Sequence, residues 1–148
     1  MISLITIQFD LKMIINIFNV LTNWSFLFYS DHKFILSIPA VISSLMHLSE
    51  TKHHLSCVPF FDHYTNIFLN LDRIMSYVLG SYMTYRWYFC GIIAPWHLIV
   101  PGLICVALGE RIRFKSVRRQ ILFDRYVFPV LHTIWHLCAF KIMDMMLF

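Results

Sequence analysis

Ser43 and His47 in "SSLMH" stand four residues apart, and His132 and His136 in "HTIWH" repeat that spacing. Residues at i and i+4 project from one face of a helix, so two facing helices could bring three imidazoles and a hydroxyl to one cavity. Asp72 in "NLDRI" adds a carboxylate from a third segment. Three nitrogens with an open fourth position make the arrangement of a catalytic zinc site, in which the bound water is acidified toward a pKa of about 7. A carboxylate beside that water can orient it and take its proton, and a serine hydroxyl can donate to the oxyanion formed when a carbonyl is attacked. Groups of these types serve the hydrolysis of amides or esters.

The surroundings that must position them are apolar. Of 148 residues, 59% are hydrophobic and 14% charged, with a mean hydropathy of +0.67. An ordinary soluble domain has about 45–50% apolar and about 25% charged residues. A core of this length cannot hide so much apolar surface, so the expected solvent is lipid and the expected fold class is all-α, a polytopic transmembrane helix bundle. Five spans are expected in a single domain, at 13–29, 34–49, 66–85, 87–109 and 121–148. The fourth is free of charge and is the firmest of them, even with Pro95 and Pro101 inside it.

Charge sets the orientation. The net charge is +4, and six of the twelve Lys and Arg residues fall between Arg111 and Arg125. A basic loop held at the cytosolic surface accounts for this better than nucleic-acid binding does. The N-terminus is then cytosolic and the C-terminus lies outside. The apolar N-terminus lacks a basic leader and a small-x-small cleavage site, so it is expected to stay in the mature chain. With this topology His47, Asp72, His132 and His136 all fall in the inner leaflet, and flipping the whole protein keeps them together. An ionisable group inside a span usually faces a bundle interior or a polar cavity, and lipids entering sideways are the expected substrates at that depth.

The order of these motifs, S-x-x-x-H on one span, Asp early on the next and H-x-x-x-H on the last, resembles the membrane-embedded hydrolases that include the alkaline ceramidases and the progestin and adiponectin receptors. The resemblance covers about residues 34 to 140. It implies that His47, His132 and His136 bind zinc, that Asp72 holds the water and Ser43 polarises the carbonyl, and that the substrate is a lipid amide or ester. That family has seven spans, and the roughly sixty residues between Asp72 and His132 leave room for fewer, so this chain reads as a shortened member.

The remaining polar residues have plainer accounts. Glu50, Lys52, His53 and His54 read as interfacial loop residues, with His53 the substitute ligand should His47 point away. His97 reads as an imidazole bonded to a carbonyl freed by the nearby prolines. Arg73 is expected to snorkel to the surface, and "YRWY" at 85–88 to mark the turn between the third and fourth spans. Cys57, Cys90, Cys105 and Cys138 show no C-x-x-C pair and read as buried thiols, neither a disulfide framework nor a sulfur-ligated metal site. The alternative for the whole chain is a non-enzymatic small multi-pass membrane protein, channel-like or a scaffold, whose histidines serve helix packing.

Overall fold

The computed structural model describes residues 11–49 and 59–147. Glu50, Lys52, His53, His54 and Cys57 lie outside the described residues. Within them every regular element is helical, so the fold is all-α. The helices are α1 (Leu11–Thr22), α2 (Lys33–Ser49), α3 (Thr65–Phe89), α4 (Trp96–Arg111) and α5 (Val117–Leu147). A short 3-10 turn at Ser25–Phe28 joins α1 to α2, and another at Pro59–Tyr64 leads into α3.

Helices α2 and α3 occur where the apolar segments 34–49 and 66–85 place them. The segment 87–109, the firmest span by composition, is divided instead. Helix α3 runs on through Tyr85–Tyr88 to Phe89, so the aromatic cluster forms its last turn and not the connection. Gly91 then takes a φ of +69°, a left-handed conformation that ends helices without a Cβ clash, and the Ile92 amide donates back to the Arg86 carbonyl at 3.3 Å. Helix α4 starts only after Pro95 and has 16 residues. Among the described residues the one helix long and apolar enough to cross a membrane is α5, whose 31 residues extend about 46 Å at 1.5 Å per residue.

Helix α5 carries a π turn at Phe123–Val127. Pro129 explains its place: the ring has no amide hydrogen to give the carbonyl four residues back, at Arg125, and it crowds that carbonyl. The turn before the proline therefore widens. Asp124 in this turn is buried and accepts from Gln120 Nε2 at 2.7 Å.

Helices α1 and α5 run parallel in a constant register. Thr22 meets His136, Phe26 stacks on Phe140 at 5.5 Å between ring centroids, and Ser30 Oγ donates to Asp144 Oδ1, each pair being 114 residues apart. At the opposite end Ile15 packs with Ile112, Phe123, Phe128 and Leu131, so α1 begins beside the basic connection. Helix α4 runs antiparallel to α5 and packs on it more extensively than any other helix does. Gly102, Cys105 and Gly109 are buried along the α4 face of that contact, where small residues let the backbones approach. A Cβ on Gly102 would sit 3.1 Å from Cys138 Cβ and 3.4 Å from the Trp135 ring.

The outer faces are apolar, and inside the bundle buried polar groups stand beside apolar clusters such as Phe26, Leu36, Ala40, Phe140 and Met143. Ile14, Phe18 and Leu21 on α1, Ile67, Ile74 and Val78 on α3, and Val127, Val130 and Ile134 on α5 are exposed at helical spacing, while Asn16, Asn19, Asn23, Ser44 and His47 are buried. Cys105 and Cys138 are buried free thiols as expected, whereas the free thiol of Cys90 is exposed, because it caps the end of α3 outside the helix contacts.

The tight α4–α5 contact sets a test. Gly102→Val should lower stability by about 1–3 kcal/mol through overpacking. Gly80, where a Cβ would meet nothing within 4 Å, should accept alanine with a gain of about 0.5–1 kcal/mol from helix propensity. Thermal unfolding in detergent reads both, and equal effects at the two glycines would contradict the packing described.

Candidate metal centre

His47 lies in the last turn of α2 and is fully buried, His136 is buried on α5, and His132 one turn before it is half-buried. The antiparallel course of α2 against α5 brings the three rings together. His47 Nε2 lies 3.1 Å from His132 Nε2 and 3.2 Å from His136 Nε2. The rings cross at 88° and 57° at those two contacts and at 66° between His132 and His136, so they fan around a common point and do not stack. One ligand atom from each lies within 4.8 Å of the others.

Imidazole chemistry limits what can satisfy this arrangement. An imidazole nitrogen has one in-plane position, which holds either a proton or a lone pair. His47 Nε2 can thus direct one good hydrogen bond, yet it has two nitrogen neighbours at hydrogen-bond distance. A single cation accepts all three lone pairs together. With metal–nitrogen bonds of about 2.0–2.1 Å, the edges of a tetrahedral site are about 3.3–3.4 Å, close to the two separations from His47 Nε2. The three histidines lie close enough to hold one metal ion.

Helix α1 supplies the support. Thr22 Oγ1 donates its proton to the Asn19 carbonyl at 2.8 Å, which leaves its oxygen to accept from His136 Nδ1 at 3.1 Å. This network assigns the proton of His136 to Nδ1 and turns the bare Nε2 toward His47, the orientation a metal ligand requires. Beside it, Ser44 Oγ accepts from Trp24 Nε1 at 3.2 Å and from Asn23 Nδ2 at 3.4 Å, fixing α1 against the helix that carries His47.

On the other side the histidines meet a cavity of about 240 Å³. Ser43 from α2, Asp72 from α3, and His132 and His136 from α5 line it, together with Met46, Met75, Met83, Met143, Trp135 and Phe140. A second, apolar cavity of about 330 Å³ adjoins it and shares Gly80, Met83, Trp135 and Ile142. Ser43, Asp72, His132 and His136 therefore share one wall system, with His47 against both histidines of α5. Ser43 and Asp72 stand outside the group of three nitrogens. Arg73 is exposed, on a different face from Asp72, and His97 stands exposed in the first turn of α4, away from the cluster.

Thr22, Ser44 and Asn19 are site residues that the motif reading passed over. Their signal was the spacing of Asn16, Asn19 and Asn23, which places three amides on one face of an otherwise apolar helix. No protein family's sequence profile matches the chain, and neither a curated protein nor a solved structure matches it.

The Thr22 contact gives a prediction with zinc as the probe ion. Thr22→Val should weaken zinc binding by about 10- to 100-fold, and Thr22→Ser should restore it. Chelator competition on detergent-purified protein measures both, and a valine variant with undiminished affinity would remove Thr22 from the centre.

Proposed function

We propose that the chain is a five-span membrane protein whose histidines bind zinc and which hydrolyses a lipid amide or ester within the bilayer. The observation that carries this reading is the convergence of three imidazole nitrogens on a largely apolar cavity that also holds a carboxylate and a hydroxyl. The order of the motifs, which resembles the alkaline ceramidase and adiponectin-receptor group, supports it. The outward apolar faces of the helices and the buried amides Asn16, Asn19 and Asn23 support a lipid solvent, since polar groups inside a bilayer must be answered within the bundle.

His47, His132 and His136 hold the ion. When bound, zinc supplies the Lewis acidity that brings the pKa of water toward about 7 and polarises a carbonyl. Asp72 orients the attacking water and takes one of its protons. Ser43 donates a hydrogen bond to the carbonyl oxygen as negative charge collects there. The oxygen of the water bonds to the acyl carbon, the C–N or C–O bond breaks, and the proton held by Asp72 passes to the departing amine or alkoxide. Each turnover consumes one water and releases one carboxylic acid and one amine or alcohol. The methionines, Trp135 and Phe140 keep bulk water away from these groups and accept the apolar part of the substrate.

Elemental mass spectrometry of the detergent-purified protein should find close to one zinc per chain, lost in His132→Ala and His136→Ala. Asp72→Ala should retain zinc while fatty-acid release from a panel of lipid amides and esters falls by about 10²–10⁴-fold. Folded wild type without zinc would overturn the reading. The histidines would then belong to helix packing in a non-enzymatic membrane protein.

A further inference from the structure

The cavity reaches the histidines from α2, α3 and α5, and α1 covers them from the opposite side. Asn16 and Asn19 on α1 and Asn23 just after its end are all fully buried, and their spacing of three and four residues aligns them on one stripe. Among the described residues Asn19 Nδ2 and Oδ1 find no hydrogen-bond partner, and neither do Asn23 Oδ1 and Thr133 Oγ1. Buried amides left without partners are rare, because the hydration they lose on folding is not recovered.

The register locates these atoms relative to one another. The offset of 114 residues, set by Thr22 with His136 and continued beyond α1 by Phe26 with Phe140 and Ser30 with Asp144, carried back one turn puts Asn19 level with Thr133. Thr133 lies one turn before His136 on the same helix, at i and i+3. Two side chains with unused donors and acceptors thus occupy one level of a parallel helix pair, next to the metal centre. All the groups concerned are amides or hydroxyls, so the ligand they suit is small, neutral and both donor and acceptor. A buried water, which makes about three hydrogen bonds to such groups, has those properties.

We propose that Asn19 and Thr133 hold buried water at the inner end of a polar stripe along α1, which brings the water of hydrolysis to the histidine centre from the basic end of the bundle. The stripe starts there because Ile15, one residue before Asn16, packs on the Phe123 and Phe128 cluster that Ile112 of the basic connection also packs on. The use of this water rests on the hydrolase reading; the hydration site does not. A lipid seated in the cavity closes the side that holds Asp72, so the second reagent needs a separate route, and α1 offers it.

The test is solution NMR of zinc-loaded, detergent-purified protein with selectively labelled asparagine, recording transfer between water and side-chain amides. The chain has five asparagines, of which Asn66 and Asn70 are exposed on α3 and report ordinary surface hydration. The expected result is a long-lived water signal at the Asn19 amide, lost in Thr133→Val and restored in Thr133→Ser. An Asn19 amide without that signal, or one indifferent to Thr133→Val, overturns the hydration site. Where wild type hydrolyses a lipid, Asn19→Leu should cut turnover at least tenfold with zinc content unchanged. Undiminished turnover overturns the supply role. Wild type that hydrolyses nothing defeats the hydrolase reading and the supply role with it, while the water signal still decides the site.

Discussion

His47 Nε2 faces two imidazole nitrogens with one in-plane position to offer them, and much of the bundle is arranged so that this crowding persists. Helix α2 ends where its last turn presents His47 to α5. Helix α5 places His132 and His136 one turn apart so that both rings reach it. Thr22 on α1 holds one of them by its far nitrogen. Two buried imidazoles and a half-buried one brought so close could share a cation, which would let all three lone pairs point inward together.

Further along the helices the same logic recurs in cheaper forms. Asp144, in the last turn of α5, accepts from Ser30 and pairs with Lys141 Nζ at 2.9 Å, and Lys141 in turn lies 4.5 Å from the centre of the Tyr29 ring. A hydrogen bond to an ionised group contributes about 1.5–3 kcal/mol where water is excluded, while the half-exposed lysine adds little beyond it. Arg86 Nη1 donates to the Leu147 carbonyl at 3.0 Å and ties α3 to the same end of α5. Apart from the Lys141–Asp144 pair within α5, these contacts join elements distant in sequence at a helix end, where orphan carbonyls and loop polar groups already need partners.

Local spacing was the legible part. The pairs Ser43/His47 and His132/His136 declare a shared helix face without any knowledge of the neighbours, and Asp72, grouped with them by the order of the segments, lines the cavity that Ser43, His132 and His136 also line. The all-helical class could likewise be read from apolar runs of helical length. The division of 87–109 was harder to read, because a charge-free run hides a stop whose cause is one backbone angle at Gly91. Thr22 was harder still, since a threonine in a greasy helix becomes a histidine partner only through the register of α1 on α5. That register comes from contacts such as Phe26 on Phe140 and Ser30 on Asp144, which no local pattern encodes.

The π turn before Pro129 has a consequence for how this centre tolerates change in chain length. An α-helix turns about 100° per residue, so one residue gained or lost ahead of a functional pair swings that pair to a different neighbour. The widened turn at Phe123–Val127 stores one surplus residue between the basic start of α5 and its histidines. It works as a vernier: the anchor at Val117–Leu122 and the face bearing His132 and His136 are set to separate angles, and a deletion within the turn can be absorbed as ordinary helix on one side while the other keeps its aim.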